Sequence, residues 1–483
     1  MKKLIIISAL ILGFITVRSQ ERIGASTSLY GGISSMTLNP ALIVGSPFRY
    51  DFNYITIQSY LDNNYVYLKK ANLIKLIADN GKTNIYAHND YNVKNGKTSK
   101  MMLYDRYYKF PSKNVYQHLL IQGPSLMLSM DKWSLAFTTN IRTATSLVKA
   151  DYQIAKVNFE GMVYSGLMHK YINTPPFRIN NTSWAELGIA AGTILKRKNF
   201  RYLKAAVTYK FLLGFDNFYY HNKSGLMYYP NDDDMYFYYM NAEYGHSVPV
   251  DKLQIIGTGH SFDIGFTYQK FERFKYKNRN RYNYKKGLDC PAFCKINPYM
   301  LYKWKVGFSL LDIGFISCNK NAVSYNIVNQ SSEWYNFAHF APKGIDGFDN
   351  SVSFHFKGDT IALPDGEAYT ALTPLAGSFQ FDYNISDDYY FNFTILQRLP
   401  HFDIPAVDRA NLVAFTARYD TEYLGISLPV VFYQYMYPRL GLAVRFANII
   451  TVGTDKLGCL LNNRMSGMDI YFSIKMSAFN KCK

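Results

Sequence analysis

Apolar and polar side chains alternate with a period of two in many segments of this chain. One parity is mostly aliphatic or aromatic, and the other holds Gly, Ser and charged residues such as Arg142, Asp382 and Lys475. The segments with this pattern include residues 133–142, 302–310, 377–385, 423–433, 440–446 and 468–476. Because successive side chains of a strand point to opposite faces, the alternation predicts about 14 β-strands with one apolar face each.

Two all-β architectures produce such strands, a transmembrane barrel and a soluble β-sandwich. The patterns have roughly the 9–11 residues that a membrane strand needs, and charges on the polar face favour a wet interior. Aromatic residues near strand ends are candidates for interfacial girdles, namely Tyr389, Tyr390, Tyr419, Tyr435 and Tyr437. We therefore predict a transmembrane antiparallel β-barrel, with the sandwich as the alternative.

Short turns and long polar segments separate the predicted strands. Asp131-Lys132, Ser386-Asp387-Asp388 and Asp420-Thr421 predict tight hairpin turns. The long polar segments are roughly 77–100, 215–255, 271–297 and 327–375. The sequence does not assign each of them consistently to one end of a barrel. Near Asp312 the apolar parity changes, which predicts either a β-bulge or the end of a strand.

The first residues predict export. Lys2 and Lys3 precede an apolar stretch from Leu4 to Val17, and a cleavage site before Gln20 makes residues 1–19 a signal peptide. After Gln20 no run of about 18 apolar residues follows that could form a membrane helix. The chain is nevertheless 48% hydrophobic, with 43 Tyr and 34 Phe. A barrel in the outer membrane of a Gram-negative cell accounts for both observations.

The charge balance and the cysteines exclude some classes. The formal net charge is +18, which in an exported protein indicates anionic lipid headgroups, an anionic ligand or an acidic partner, and no nucleic acid. A basic and aromatic tract from Lys270 to Lys286 suits anionic headgroups, or is simply a basic loop. Cys290 and Cys294 could form a local disulfide or remain thiols. Five cysteines do not make a disulfide scaffold.

No catalytic or metal-binding constellation stands out, and we expect no enzyme activity and no cofactor. His260 and Ser261 are neighbours on a predicted strand, so their side chains point to opposite faces and form no dyad. The acidic run Asp232-Asp233-Asp234 could bind a divalent cation, but it lacks EF-hand spacing and is better explained as a solvated loop.

The segment before the first strand is rich in Gly and Ser. Residues 20–46 predict a hatch folded inside the barrel of residues 47–483, or a disordered tail. Residues 32–41, which end in Asn39-Pro40-Ala41, resemble the hatch motif of FadL-like long-chain fatty-acid transporters. That resemblance implies a barrel of 14 strands and gives Asn39, Pro40 and Ala41 the role of shaping the hatch.

Three stretches also resemble an uncharacterised outer-membrane barrel family of Bacteroidota that carries only a domain-of-unknown-function label. They are Asn39-Pro40-Ala41 with residues 62–65, residues 306–314, and residues 438–442 followed by 452–455. In order, they span nearly the whole chain after residue 20. This resemblance implies membership of the family and supplies no substrate.

Two functional hypotheses follow. The first is a passive transporter for a hydrophobic or amphipathic small molecule, in which the lumen-facing residues Arg418, Arg445 and Lys303 bind an acidic headgroup or form internal salt bridges. It requires a ligand-sized cavity lined by apolar residues. The second is an envelope assembly or secretion protein, since some FadL-like barrels of this bacterial group are partners in type IX secretion. An aromatic-rich segment near residues 215–244 would then contact a protein partner.

Overall fold

The computed structural model describes residues 21–105, 112–130, 132–162, 164–198, 200–249, 254–271, 302–386, 388–400 and 404–479. It contains 24 strands, which we number in chain order. They are β1 Phe48–Asn63, β2 Val66–Lys69, β3 Tyr86–Ala87, β4 Met102–Asp105, β5 Ser112–Gln122, β6 Ser125–Ser129, β7 Trp133–Asp151, β8 Tyr171–Thr174, β9 Phe177–Lys198, β10 Arg201–Tyr228, β11 Met235–Ser247, β12 Gly257–Phe271, β13 Tyr302–Cys318, β14 Ala322–Trp334, β15 Tyr369–Leu372, β16 Ala376–Ser386, β17 Tyr389–Arg398, β18 Leu412–Asp420, β19 Leu424–Tyr433, β20 Pro438–Leu440, β21 Leu442–Phe446, β22 Ile450–Thr454, β23 Arg464–Met465 and β24 Gly467–Phe479.

Short helices lie between and before the strands. The α-helices are Ile23–Ser26, Leu73–Asp79, Asp90–Lys94, Tyr152–Glu160, Gly344–Lys357 and Gly458–Leu461, and the 3-10 helices are Gly32–Thr37, Pro40–Ile43 and Phe337–His339. No helix in the described ranges combines the length and the apolar character needed to cross a membrane.

Twenty of the strands form one antiparallel sheet that closes on itself. Consecutive passes of the chain across the barrel pair with each other, and β1 finally pairs with β24, for example Phe52 with Met476. Six passes are broken into two consecutive strands: β5 with β6, β8 with β9, β11 with β12, β13 with β14, β15 with β16, and β20 with β21. The twenty strands therefore make a closed barrel of fourteen passes. The predicted fold class is confirmed.

The connections divide into two kinds, one at each end of the barrel. At the turn end, β6 to β7, β9 to β10, β16 to β17, β18 to β19, and β21 to β22 are joined by a few residues each. At the other end, which we call the loop end, lie most of the longer connections, including residues 64–111 and 335–368. Phe271, the last residue of β12, and Tyr302, the first residue of β13, lie at the turn end. The sequence had not assigned the long segment between them to either end of the barrel.

The alternating pattern is confirmed by burial. In β16, Ser378, Gln380, Asp382 and Asn384 are buried, while Phe379 and Phe381 face outward and are partly exposed. On β9 the exposed outward residues include Leu187, Ile189 and Leu195. The outward apolar positions form a belt around the barrel, and the polar parity lines its interior. Such a division is the reverse of a soluble core and is typical of a membrane barrel.

Several expectations need correction. Residues 215–255 were predicted as a loop, but β10 continues to Tyr228 and β11 occupies Met235–Ser247. Aromatic side chains of these strands pack against helix Gly344–Lys357, and this burial explains the extra strand length. Of the girdle candidates, Tyr390 is wrong, because its side chain is buried and faces inward. Near Asp312 the strand continues, so the β-bulge alternative is confirmed.

Other predictions lie outside the described residues. These are the signal peptide, Cys290, Cys294, Cys482, the turn residues Asp131 and Asp387, and the basic tract beyond Phe271. Cys318 and Cys459 are described, and both are buried thiols.

Candidate functional site in the barrel lumen

Residues 21–46 lie inside the ring of strands and are almost entirely buried. Polar groups of the wall hold this N-terminal segment at several points. The amide of Ile23 donates to Asp455 at 2.9 Å, that of Ile33 to Asp51 at 2.8 Å, and that of Leu29 to Asp420 at 3.0 Å. Each acid sits on the inward parity of its strand or just beyond its end, so barrel closure brings distant acids around one segment.

Asn39 is the most connected residue of this segment. Its Oδ1 accepts from the amide of Ala41 and so caps the 3-10 helix Pro40–Ile43. Its Nδ2 donates to the carbonyl oxygens of Phe266 and Phe308 and to Oε1 of Gln380, at 3.0–3.2 Å. The Asn-Pro-Ala motif thus fixes a helical turn against β12, β13 and β16. Its role as a hatch remains a proposal.

Two glycines make room for this contact. A Cβ atom built on Gly265 would overlap Oδ1 of Asn39 and lie 2.8 Å from Cδ of Pro40. A Cβ on Gly307 would lie 2.9 Å from Nδ2 of Asn39. Neither glycine has a positive φ. Close approach of the segment, and not backbone conformation, therefore requires glycine at both positions.

Gly265→Ala should accordingly destabilise the protein by about 1–3 kcal/mol, because the added methyl group displaces Asn39 from the wall. The matched control is Gly377→Ala, where the nearest atom to a built Cβ is Cδ2 of Leu310 at 4.0 Å. The control should change stability by less than about 0.5 kcal/mol. Denaturant unfolding in detergent measures both. Equal effects of the two substitutions would contradict the packing argument.

A network of buried charges, the Asp312 network, crosses the lumen. Asp312 accepts from three cations: Nη1 and Nη2 of Arg142 at 3.0–3.1 Å, Nζ of Lys210 at 2.7 Å, and Nη2 of Arg409 at 2.8 Å. Arg142 also pairs with Glu186 at 2.8 Å, Lys210 with Asp263 at 2.7 Å, and Arg409 with Glu21 at 3.6 Å. The network therefore joins β7, β9, β10, β12 and β13 to the N-terminal segment.

The bulge in β13 presents Asp312 to these partners. Its φ of 55° lies in the left-handed region, which Asp tolerates better than most residues. The amide of Asp312 donates to Asp263 at 2.7 Å, which fixes the bulged backbone. A non-glycine residue held in this conformation beside buried charges is the kind of feature that clusters at functional sites.

A loop from the other end also enters the lumen. Residues 405–411 are the last part of the connection from β17 to β18, and the side chains from Ala406 to Asn411 are buried. Arg409 of this inward loop contributes to the Asp312 network, and the amide of Asp408 donates to Ser146. The lumen is thus occupied by the N-terminal segment and by the inward loop, which meet at Arg409 and Glu21.

The three predicted lumen residues have different environments. Arg418 is buried and pairs with Asp382 at 2.9 Å. Arg445 contacts Asp420 at 3.5 Å and lies 4.5 Å from the ring centroid of Tyr30. Lys303 follows a register shift, and its Nζ lies 4.6 Å from the ring centroid of Tyr383, which has the outward parity of β16. Its predicted lumen position is wrong because the register shift moves it off the inward parity.

The cavities described in the lumen are small, and charged side chains are part of the lining of each. Three of them measure about 20, 50 and 70 Å³. The largest lies beside the Asp312 network and is lined by Arg142, Glu186, Lys210 and Asp263 among others. A pocket for a small organic ligand usually has about 300–1,000 Å³ and apolar walls. None of these three is the apolar pocket that the transporter hypothesis requires.

Sequence reasoning missed most of the Asp312 network. Arg142 stood out as a charge on an otherwise small polar face. Lys210 and Asp263 carry the same signal, a charge on the inward parity of a strand, and could have been found by extending the pattern to β10 and β12. Glu21 and Arg409 lie outside strands and carry no such signal. The acidic run at 232–234 is an Asn231-capped turn between β10 and β11.

A family model covers most of the chain. It is described as a family of unknown function, DUF5723, and it matches residues 40–455. The chain belongs to the DUF5723 family. The match begins at Pro40 of the Asn-Pro-Ala motif. It ends at Asp455, the wall residue that accepts a hydrogen bond from the amide of Ile23. No curated protein matches this DUF5723 chain by sequence.

Solved structures are similar to this DUF5723 barrel at low identity. A mutant of the monoaromatic hydrocarbon channel TodX has 9% identity and a TM-score of 0.39, with coverage of 96% of this chain and 99% of that chain. The toluene transporter TbuX of Ralstonia pickettii has 6% identity and a TM-score of 0.31, with coverage of 96% and 100%. The outer membrane protease OmpT of Escherichia coli has 8% identity and a TM-score of 0.22, with coverage of 89% and 97%.

Proposed function

We propose that this protein is an outer-membrane channel for amphipathic small molecules, with residues 21–46 as its hatch. The observation that carries the proposal is the occupied lumen: a closed barrel with an apolar outer belt contains a segment held by hydrogen bonds to wall side chains. Wall side chains alone can fill a barrel of about eight strands, whereas a ring of fourteen passes is wider and has room for an inserted segment or a passage. Polar contacts of this kind can be exchanged for water when the segment moves.

The polar lining bears on the class of solute. The inward faces of the strands carry charged side chains such as Asp382, Arg418 and Asp263, so a solute with a polar or charged head is favoured over a pure hydrocarbon. The cavities of 20–70 Å³ are too small for such a molecule. Passage therefore requires displacement of the N-terminal segment, the inward loop, or both.

A reversible disulfide tests the hatch. A Cβ atom built on Gly24 lies 3.5 Å from Cβ of Ser427 on β19, which is within the range for a disulfide. We expect Gly24→Cys with Ser427→Cys to lose solute flux in reconstituted liposomes when oxidised and to regain it on reduction. Ala443→Gly and Tyr471→Phe in the same background remove the two groups that crowd Gly24, Cβ of Ala443 at 2.7 Å and Oη of Tyr471 at 2.8 Å. Ser427→Cys alone is the control.

The possible outcomes separate the claims. Flux that is the same in the oxidised and reduced double variants would mean that residues 21–46 do not gate the lumen. Absence of flux for every solute tested in the wild type and in the reduced variant would overturn the channel itself.

A second candidate, a contact role in envelope assembly, is favoured by one observation. Beyond the apolar belt, β8, β10, β11 and β14 extend as a sheet whose inner face packs on helix Gly344–Lys357. Its outer face carries the exposed Tyr171, Tyr238 and Tyr335, with ring centroids of Tyr171 and Tyr238 5.4 Å apart. Exposed tyrosines in contact with one another are typical of protein interfaces.

Photocrosslinking in cells tests this second role. A crosslinker at position 238 should give a discrete protein adduct, while one at Ile189 in the apolar belt should give none. A failure to obtain any adduct at 238 would argue against a stable partner at this face.

A further inference from the structure

A separate small cavity lies between the N-terminal segment and the wall formed by β18 to β24. Its volume of about 20 Å³ would hold about one or two water molecules. Hydroxyl groups of Ser28, Ser34 and Ser427 line it, together with three cationic side chains and one acidic one. The cations are Arg22, Arg445 and Lys475, and the acid is Asp420.

Arg22 is the unusual residue of this cavity. Its side chain is 1% exposed, yet Nε, Nη1 and Nη2 are all buried without a hydrogen-bond partner among the described residues. The neighbouring carboxylate of Glu21 is directed to Arg409, 3.6 Å away. An arginine cannot shed its proton in a protein, so its buried charge needs a counterion.

The other charges of the cavity are balanced. Nζ of Lys475 donates to the carbonyl oxygens of Tyr30 and Gly31 and lies 3.3 Å from Asp51. Asp420 lies 3.5 Å from Nη2 of Arg445. Nε of Arg445 is buried and has no hydrogen-bond partner among the described residues. Glu21 attracts Arg22 electrostatically, but among the described residues no group hydrogen-bonds to its guanidinium, and a second free donor lines the same cavity.

We propose that this cavity binds a small monovalent anion, of the size of chloride, between Arg22 and Nε of Arg445. The volume of about 20 Å³ excludes polyatomic anions such as sulfate, and a single negative charge suits one guanidinium group that has no hydrogen-bond partner among the described residues. Because Arg22 belongs to the N-terminal segment and Arg445 to β21, the ion fastens that segment to the wall. This binding does not depend on whether the barrel conducts a solute.

Thermal unfolding of the purified protein in detergent tests the site. With sodium gluconate replaced by sodium chloride at constant ionic strength, the unfolding midpoint should rise and saturate. Sulfate should give no such rise. Sodium acetate, a monovalent anion with four heavy atoms, should give no rise either, and a rise with acetate would contradict the size of the site.

Two substitutions separate anion binding from loss of a buried charge. Arg22→Met should weaken chloride binding by at least about 30-fold, because the main donor is removed. In gluconate this variant should be at least as stable as the wild type, since it no longer buries an unpaired cation. Lys204→Met is the matched control. Its Nζ holds the carbonyl of Val44 in the same segment but lies at another cavity, so the chloride dependence should persist.

A crystal grown in sodium bromide gives an independent readout, since an anomalous peak should lie between Arg22 and Arg445. The proposal is overturned if no monovalent anion shifts the midpoint of the wild type, if Arg22→Met keeps the full shift, or if bromide binds only elsewhere.

Discussion

Replacing Asp312 by Asn should lower the free energy of unfolding by about 3–5 kcal/mol, the cost of breaking a buried ion pair by removing one partner. Asn has nearly the same shape and also tolerates the φ of 55°, so the backbone of the bulge is kept. What is lost is the negative charge shared by Arg142, Lys210 and Arg409. In the variant, Glu186 still balances the charge of Arg142, and Asp263 that of Lys210. The remaining carboxylate near Arg409 is that of Glu21, 3.6 Å away.

Denaturant unfolding in detergent measures this effect. Trp184 is a convenient reporter, since its ring lies 4.9 Å from the guanidinium carbon of Arg142. Asp232→Ala, at an exposed acid in the turn between β10 and β11, should change stability by less than about 0.5 kcal/mol. Asp312→Gly keeps the positive φ without the carboxylate, so it should be no more stable than Asp312→Asn. A loss of stability below about 1 kcal/mol in Asp312→Asn would mean that the carboxylate of Asp312 does not stabilise the buried cations Arg142, Lys210 and Arg409.

The second large effect is expected at Asn39. Asn39→Leu removes the side chain that caps Ala41 and bonds to Phe266, Phe308 and Gln380. Buried polar groups that lose their partner cost about 1–3 kcal/mol each, so losing the partners of the Ala41 amide and of Oε1 of Gln380 should cost about 2–6 kcal/mol in total. The loss should fall on the N-terminal segment, because the ladder between β12 and β13 does not depend on it.

Hydrogen exchange localises this effect. Amides of residues 32–44 should exchange at least about 30-fold faster in Asn39→Leu, while those of β16 to β19 keep their protection. Asn173→Ala, at an exposed asparagine of β8, should leave the exchange rates of residues 32–44 and of β16 to β19 unchanged. Equal acceleration over the whole barrel would mean that Asn39 supports the wall itself and not the segment.

Much of the barrel followed from the sequence because the alternation is a local property. In a strand with one face toward an apolar medium and the other toward a polar interior, apolar and polar residues alternate along the sequence. Residues 377–385 and 468–476 are examples. Where a strand pairs outside the belt, as in β11, both faces can be polar or aromatic and the pattern disappears. The loop prediction for residues 215–255 failed for this reason.

The candidate site was predicted less well. Arg418 and Arg445 were placed on the inward parity and are buried there, but the register shift near Lys303 could not be read from the sequence. Asn39-Pro40-Ala41 was found through its resemblance to a hatch motif. Its hydrogen-bond partners belong to β12, β13 and β16, which are more than 200 residues away in the chain.

By itself, the sequence determined the fold class, the approximate number of strands and the polar character of the interior, since each depends on the order of side chains along one strand. Only the tertiary structure decided which end carries the long loops, which charges meet at Asp312, and that Arg22 faces a cavity without a partner. These depend on the register of fourteen passes and on the closure between β1 and β24. A shift of one residue in any pairing would turn inward side chains outward, and no local pattern records which distant strand an inward charge will face.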